Sequence, residues 1–319
     1  MRIEWASSLM LQLGQLWQNK QLAPSLLITG DMGIGVSETA HAIAELFRCR
    51  NQTNGKRCGQ CHDCRLIDAD THPDFLLVAP DEGKKQIGVD KVRKANEFAT
   101  TRPQVAACKV ILIDQAERLN TASANAILKT LEEPASSVVF ILATERPGQL
   151  LPTIRSRCQS YVVPMPTPEQ ALSYLDDIAQ KQTLLDLARG RPVLAASLED
   201  TMASREKLLA LFAGLLDGKL NAVEAASGMA KLEVEHLMTW LQAWLVDLVK
   251  ASLGQQQALQ DPNGLVELID QALPSDKLMK WVDQQISDIS AMRRGASLNL
   301  QSWLESMLID FMSLCWGER

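Results

Sequence analysis

Long apolar segments and a secretory leader are both missing from this 319-residue sequence. No apolar run approaches the roughly 20 residues that a helix needs to cross a bilayer. The first ten residues, MRIEWASSLM, do not have the basic and then apolar order of a signal peptide. We therefore expect a cytoplasmic protein, in which the seven cysteines are not expected to form disulfides.

The sequence also has no excess of positive charge. Its 32 lysines and arginines are outnumbered by 38 aspartates and glutamates, which gives a net charge of −6 and a pI of about 5.4. A dedicated DNA-binding domain is usually basic, so the composition argues against DNA binding as the sole role of the chain. With 46% hydrophobic and 22% charged residues, the composition is typical of a globular protein of two or three domains.

Apolar runs and helical patterns alternate in the first half of the chain. Five short apolar runs occur at 25–29, 75–79, 109–113, 138–143 and 160–163. Between them, residues 37–48 and 121–133 repeat apolar side chains at helical spacing. Strands that are apolar throughout and alternate with helices are typical of a parallel sheet covered on both faces. The sequence therefore predicts an α/β domain over residues 1–165.

A proline-rich segment, VPMPTP, marks the end of this domain, because proline continues neither strands nor helices well. Residues 166–204 have the pattern of a small helical domain that is interrupted at 190–192. From 205 to 319 the pattern is helical throughout, and its clearest stretch is 233–253. The tryptophans of that stretch are expected in the core, since aromatic residues on a helical stripe are usually buried.

A glycine-rich loop, GDMGIGVS, joins the first predicted strand to the first predicted helix. In P-loop proteins, backbone N–H groups at such a turn and helix start cradle phosphates. The loop keeps Gly30, Gly33, Gly35 and the hydroxyl of Ser37. It has Val36 in the position of the lysine that reaches the β- and γ-phosphates, and valine supplies neither a charge nor a donor. We therefore expect no ATP hydrolysis by this chain alone.

A second part of a hydrolytic site is also missing. Asp114 follows the apolar run 109–113, in the register of a carboxylate that holds Mg²⁺. ATPases of this type place a glutamate next, whereas this chain has Gln115, which cannot act as a general base. Glu117 lies two positions further on and would need a different backbone path to replace it. Two independent parts of the hydrolytic apparatus are therefore absent.

Four of the seven cysteines fall within one short segment: Cys49, Cys58, Cys61 and Cys64. A C-x₂-C-x₂-C run with a fourth cysteine upstream suits tetrahedral zinc with four thiolates, whose negative charge Lys56 and Arg57 would offset. An iron–sulfur cluster is the alternative, although the usual cysteine and proline downstream are absent. His62 could replace one cysteine. Because four protein ligands leave no position for a catalytic water, we expect a structural site in an insertion at about 49–64.

A Ser156-Arg157-Cys158 triplet lies just before the last predicted strand, at the edge of the α/β domain. A lone surface arginine is usually a solvated charge. At an edge where a neighbouring subunit could dock, an arginine can instead reach that subunit's γ-phosphate and accelerate hydrolysis by about 10³–10⁵. The position therefore predicts that Arg157 acts in trans, on the ATP of a neighbour.

Together with THPDF at 71–75 and NAILKTLEEP at 125–134, these features resemble the AAA+ clamp-loader family of bacterial DNA polymerase III, most closely its delta-prime type. The resemblance spans the whole chain. It implies a RecA-like AAA+ domain, a helical lid and a helical collar that oligomerises with gamma or tau and delta subunits. It further implies that Arg157 is the arginine finger of an adjacent gamma/tau site. The residues at the P-loop hydroxyl, Walker B and sensor 1 positions are Ser37, Asp114 and Thr144.

The resemblance implies a non-hydrolysing stator of a complex that opens the sliding clamp and places it on primed DNA, as a component of a DNA-directed DNA polymerase holoenzyme. Hydrolysing relatives carry a sensor 2 arginine in the lid, and in this chain Val193 takes that place. The phosphate loop is therefore expected to hold no nucleotide.

Two other functions are compatible with the sequence. One is an ATP-hydrolysing motor of the gamma/tau type, against which Val36 argues. The other is a nucleic-acid adaptor that uses the zinc insertion and the positive charge of Lys56, Arg57, Arg65, Lys84 and Lys85. An ATPase assay on the purified chain separates the motor from the stator, and salt-dependent DNA binding by the isolated chain identifies the adaptor.

Overall fold

The computed structural model describes residues 3–81, 84, 86–135, 137–178, 180–269, 274–293 and 296–316. The chain separates into two compact units, which comprise residues 1–176 with 191–194, and 177–190 with 195–319. The division into three domains remains a prediction, because two units are distinguished and the first of them continues past residue 165. None of the described helices has a stretch long and apolar enough to cross a bilayer.

The first unit alternates strands with helices. Its strands are Ser25–Thr29 (β1), Phe75–Val78 (β2), Lys109–Ile113 (β3), Val138–Thr144 (β4) and Gln159–Val162 (β5). Its helices are Ser7–Gln18 (α1), Val36–Arg48 (α2), His62–Asp68 (α3), Val89–Thr100 (α4), Thr121–Glu132 (α5), Pro152–Arg155 (α6) and Pro168–Tyr174 (α7). All five strands and the helices α2 and α5 lie where the apolar spacing predicts them, whereas α1, α3 and α4 were not predicted.

The five strands form one parallel sheet in the order β2-β3-β4-β1-β5. Every residue of the central strands β1, β3 and β4 is buried, which explains why their sequences are almost wholly apolar. The edge strands β2 and β5 are partly exposed. The predicted α/β fold with a parallel sheet is therefore confirmed.

Successive residues of the central strands point to opposite faces of the sheet, and each face has its own core. On β1, Leu26 and Ile28 pack with buried residues of α1 and α2. Leu27, between them, packs with buried residues of α4, α5 and α6. Because helices cover both faces, the place for a ligand is the edge where the strands have their carboxyl ends. The glycine loop, Asp114 and Thr144 all lie at that edge, since they follow or end β1, β3 and β4.

The THPDF segment ties β2 to a neighbouring loop through a buried carboxylate. Asp74 is 0% exposed, and its two carboxylate oxygens accept the backbone N–H groups of Gln104, Val105 and Ala106 at 2.7–2.8 Å. Burial raises the pKa of Asp74, but these three hydrogen bonds lower it more, so that the pKa lies below its ordinary value. The motif therefore has a structural role in this unit.

Replacing Asp74 with alanine is expected to lower the free energy of unfolding by about 3 kcal/mol, because three backbone N–H groups lose a charged acceptor that is itself fully buried. In the wild type this contribution is present above the pKa of an unfolded aspartate, about 4, and is lost as the pH falls through the lower pKa of the folded form. Urea unfolding of the wild type and of the variant tests both points. The measurements should run from about pH 3 to about pH 7, a range that includes the pKa of an unfolded aspartate. The matched control is Asp90→Ala, since the Asp90 side chain is 85% exposed; equal stability of the two variants would contradict the prediction.

The second unit is helical. Its helices are Lys181–Leu187 (α8), most of Pro192–Leu198 (α9), Met202–Leu216 (α10), Ala222–Met229 (α11), Val234–Ser252 (α12), Ser275–Arg293 (α13) and Leu300–Trp316 (α14). Trp240 and Trp244 of α12 are buried, as the helical stripe predicted. The indole N–H of Trp244 donates to Asp261 at 2.8 Å, and Asp261 also accepts two hydrogen bonds from Arg205.

Candidate functional site

The glycine loop turns from β1 into α2 through two glycines in the left-handed region. Gly33 and Gly35 have φ angles of +84° and +88°, in the left-handed region that favours glycine. Gly35 immediately precedes α2, so the helix starts at the loop as phosphate binding requires. The Val36 side chain is only 1% exposed and belongs to the core beneath α2. A buried apolar group therefore takes the position of the phosphate-binding lysine.

Other residues of the first unit already occupy polar groups of the loop. The Gly33 N–H donates to Glu145 Oε1 at 3.0 Å. The Gly33 carbonyl accepts the N–H groups of Val193 and Leu194 at 3.0 and 3.1 Å. Burial raises the pKa of Glu145 above its ordinary value. In a nucleotide-binding loop, a phosphate would accept a hydrogen bond from such a backbone N–H. In this chain the carboxyl group of Glu145 accepts it.

The two loop glycines are also closely packed. A Cβ atom added to Gly33 would lie 2.5 Å from Leu194 Cβ, and one added to Gly35 would lie 2.4 Å from Ile3 Cδ1. The indole N–H of Trp5 donates to the Ile34 carbonyl at 3.0 Å, which fixes the start of the chain against the loop. Protein groups therefore occupy space directly around the glycines.

A cavity of about 670 Å³ at the carboxyl edge of the sheet brings the other predicted residues together. The Ser37 hydroxyl donates to Asp114 Oδ2 at 2.7 Å, and the Gln115 N–H donates to Asp114 Oδ1 at 2.9 Å. The Thr144 hydroxyl donates to Glu117 Oε2 at 2.7 Å. The residues predicted for the P-loop hydroxyl, Walker B and sensor 1 positions thus line one cavity, where protein carboxylates accept hydrogen bonds from both hydroxyl groups.

Two carboxylates of this cavity, Glu117 and Glu145, are not among the predicted site residues. Gln115 has a φ of +53° and precedes a short 3₁₀ turn, Ala116–Arg118, which carries Glu117 to the cavity. Glu117 reaches the cavity on this turn, and its carboxylate accepts a hydrogen bond from the Thr144 hydroxyl. Glu145 directly follows β4. Its position at the carboxyl end of a central strand is the signal that could have identified it.

The predicted sensor 2 position is apolar in the structure as well. Val193 lines the cavity, and its backbone N–H is bonded to Gly33. The nearby arginine, Arg191, places Nη1 3.5 Å from the carbonyl oxygen of Met32. The residue predicted for the sensor 2 position therefore presents an apolar side chain to the cavity.

The four predicted metal ligands converge. The Sγ atoms of Cys49, Cys58, Cys61 and Cys64 all lie within 4.8 Å of one another. The Cys64 sulfur is 3.6 Å from that of Cys49 and 3.9 Å from that of Cys58. A tetrahedral zinc ion with Zn–S distances of about 2.3 Å would hold sulfur atoms about 3.8 Å apart. The cluster therefore has the spacing of a four-thiolate metal site.

Backbone N–H groups help to build this cluster. They donate from Cys58 to Cys49, from Cys61 to Cys58 and from Cys64 to Cys61, at 3.2–3.4 Å between nitrogen and sulfur. Hydrogen bonds from Gln60 and Cys61 lower the pKa of Cys58 to about 6, while burial raises that of Cys64 to about 12. A bound cation would offset this cost of a buried thiolate. His62 is exposed, and the convergent group consists of the four cysteines.

Arg157 lies between α6 and the edge strand β5, and its guanidinium group is held by neighbouring residues. Nε donates to Glu132 Oε1 at 2.6 Å, and Nη2 contacts the same oxygen. Nη1 donates to the Thr153 carbonyl at 2.8 Å. The Arg157 side chain is 30% exposed, so the guanidinium group is oriented and still accessible at the surface of the unit.

The basic residues that the adaptor hypothesis invokes are partly neutralised. Arg57 pairs with Glu45 at 3.0 Å and with Asp68 at 2.7 Å. Lys84 pairs with Asp81 at 2.9 Å. Lys56 and Arg65 are exposed, and Lys85 lies outside the described residues. These ion pairs reduce the positive charge that a nucleic-acid adaptor could offer to phosphates.

Family models match both parts of the chain. A model described as DNA polymerase III, delta subunit, matches residues 5–167. A model described as DNA polymerase III, delta subunit, C terminal, matches residues 199–313. The two matches together cover most of both compact units.

Individual relatives agree with these models. DNA polymerase III subunit delta' of Pseudomonas aeruginosa is 30% identical, with 97% of each chain covered. The protein of the same name from Haemophilus influenzae is 34% identical over 96% of this chain and 94% of its own length. The structure of a DNA polymerase III gamma subunit-related protein from Thermotoga maritima superposes with a TM-score of 0.51 at 21% identity, covering 95% of this chain and 99% of that chain. This structural likeness supports the fold alone.

Proposed function

Because this chain belongs to the family of DNA polymerase III delta' subunits, we propose that it is the non-hydrolysing stator of a clamp loader. In this role it assembles with gamma or tau and delta subunits in the cytoplasm. The assembled complex opens the sliding clamp and places it on primed DNA, as a component of a DNA-directed DNA polymerase holoenzyme.

The observation that carries this proposal is that protein groups occupy the glycine loop. Val36 is buried at the lysine position, and the Gly33 N–H is bonded to Glu145. A nucleotide would have to displace that carboxyl group without a lysine to neutralise its phosphates. Gln115 and Val193 supply neither a general base nor a sensor cation. We infer that the loop holds no nucleotide and that the chain does not hydrolyse ATP.

The accessible, oriented Arg157 supplies the active part of the proposal. An arginine that reaches the γ-phosphate of a neighbouring subunit stabilises charge that develops during phosphoryl transfer. Arg157 is assigned the role of arginine finger at an adjacent gamma/tau site. The ATP at that site is bound by the neighbouring subunit, and this chain supplies the arginine. The four-cysteine cluster is assigned a structural zinc ion, because the protein supplies all four ligands.

Replacing Val36 with lysine is expected to produce no ATP turnover by the purified chain. The added amine leaves Gln115 in place of a general base and leaves the Gly33 N–H bonded to Glu145. Phosphate release and equilibrium nucleotide binding, measured for the variant and for the wild type, test this expectation. Turnover by the wild type would instead identify a gamma/tau-type motor. Robust turnover by the variant alone would contradict the inference that Gln115 and the hydrogen bond between Gly33 and Glu145 prevent hydrolysis.

A further inference from the structure

The hydrogen bonds of Arg157 occupy all but one of the N–H groups of its guanidinium. A guanidinium group carries five N–H donors in a rigid plane. Glu132 Oε1 accepts from Nε and Nη2, and the Thr153 carbonyl accepts from Nη1. Ser156 Oγ lies 3.4 Å from Nη1. Nη2 has two N–H groups, and one is directed at Glu132. The second has no acceptor among the described residues and is available for an additional one.

We propose that Glu132 is a positioning residue for Arg157, and that it orients the guanidinium group so that the second N–H of Nη2 meets the phosphate of the neighbouring subunit. This inference rests on the proposed function of Arg157 as a finger in trans. Glu132 does not touch the phosphate. It fixes the plane of a long side chain that would otherwise sample many rotamers before each productive contact.

The elements that carry the two residues are anchored in one core. Glu132 is the last residue of α5 and follows Leu131, which is 2% exposed. Arg157 follows α6, whose Ile154 is 0% exposed and packs in the same core. The backbone on each side of the ion pair is therefore well supported, while the pair itself lies at the surface.

The exposure of the pair argues that its main effect is on orientation and not on folding. The Glu132 side chain is 47% exposed, and ion pairs at such sites contribute little to stability. Both contacts between Arg157 and Glu132 are made to a single oxygen of the glutamate, Oε1. A glutamine at position 132 retains an oxygen acceptor there, whereas an alanine has none. The two substitutions therefore separate hydrogen-bond acceptance from the loss of charge.

The test uses the complete clamp-loader complex with ATP, sliding clamp and primed DNA, and compares Glu132→Ala with Glu132→Gln. We expect Glu132→Ala to lower the DNA-stimulated kcat at the dependent site by roughly tenfold, in line with the loss of one charge-assisted hydrogen-bond pair. Glu132→Gln is expected to retain the rate within about twofold, because the acceptor oxygen remains. The KM for ATP and the melting temperature of the chain should be unchanged in both variants.

The matched control is Glu133→Ala, which removes the same charge from the next, exposed position and should leave the rate unchanged. In a chain that already carries Arg157→Ala, adding Glu132→Ala should cause no further loss. A normal or increased rate in Glu132→Ala would overturn the inference, as would equal losses in the alanine and glutamine variants. If Arg157→Ala itself leaves the rate unchanged, the proposed function fails; if only Glu132→Ala is without effect, the positioning role alone fails.

Discussion

Replacing Arg157 with alanine is expected to slow ATP hydrolysis about 10³-fold at the neighbouring site that receives this arginine. The side chain would contribute its charge only as the transferred phosphoryl group develops negative charge, so the expected loss is in kcat and not in ATP binding. The rate of the whole complex should fall to that of the ATP sites that do not depend on this chain. DNA-stimulated phosphate release by the reconstituted complex, measured over a range of ATP concentrations, tests the prediction.

A nearby arginine provides the control for this experiment. Arg155 lies at the end of α6 and is exposed, so Arg155→Ala removes the same charge two positions away. It should leave the rate and the assembly of the complex unchanged. Size-exclusion analysis of the Arg157→Ala complex establishes whether the subunits still assemble. An intact complex with an unchanged rate would show that Arg157 is not the finger.

Removing one ligand of the cysteine cluster is the second change with a large expected effect. Cys64→Ser should abolish zinc binding and unfold the segment 49–64 locally, because the binding free energy of structural zinc sites is on the order of 10 kcal/mol. Cys64 is the appropriate position, since its sulfur is fully buried between those of Cys49 and Cys58. Metal content by mass spectrometry and limited proteolysis within the segment measure the two effects.

The pH dependence gives the same site an independent test. Metal binding requires deprotonated thiols, and burial raises the pKa of Cys64 to about 12 in the metal-free protein. Zinc affinity should therefore rise with pH and fall on acidification, as protons compete for the sulfur atoms. Cys158→Ala, at a partly buried cysteine outside the cluster, should retain one zinc ion per chain. A metal-free wild type with a protease-resistant segment would contradict the zinc assignment, and a bound iron–sulfur cluster would replace it.

Much of the fold could be predicted from the sequence because its signals are local. A strand buried on both faces must be apolar at every position, and β1, β3 and β4 have this composition. Helices α2 and α5 were predicted because each buries one face against the sheet. Helix α3 was missed because it carries two of the clustered cysteines at or beside its start and has no long apolar stripe. Such a short helix depends on the structure around it.

The family and the positions of the candidate site could also be read from the sequence. The resemblance to delta' subunits is confirmed by family models and by relatives that are at least 30% identical over nearly the whole chain. The spacing of the cysteines predicted the group that the structure brings together. These predictions succeeded because they depend on residue identity and sequence spacing, which the chain displays directly.

Contacts between distant parts of the chain could not be predicted in this way. Gly33 and Glu145 are 112 positions apart, and Glu132 and Arg157 are 25 apart. The absence of a lysine at Val36 predicted that the chain does not hydrolyse ATP. Only the tertiary structure showed that Glu145 accepts a hydrogen bond from the loop and that Glu132 accepts one from Arg157. Residue identities determined the type of fold and the family, and they predicted which hydrolytic groups are missing. The order of the strands and the packing of the helices decided that Glu145 bonds the glycine loop and that Glu132 bonds Arg157. Hydrogen bonds depend on distance in space and not on separation in sequence.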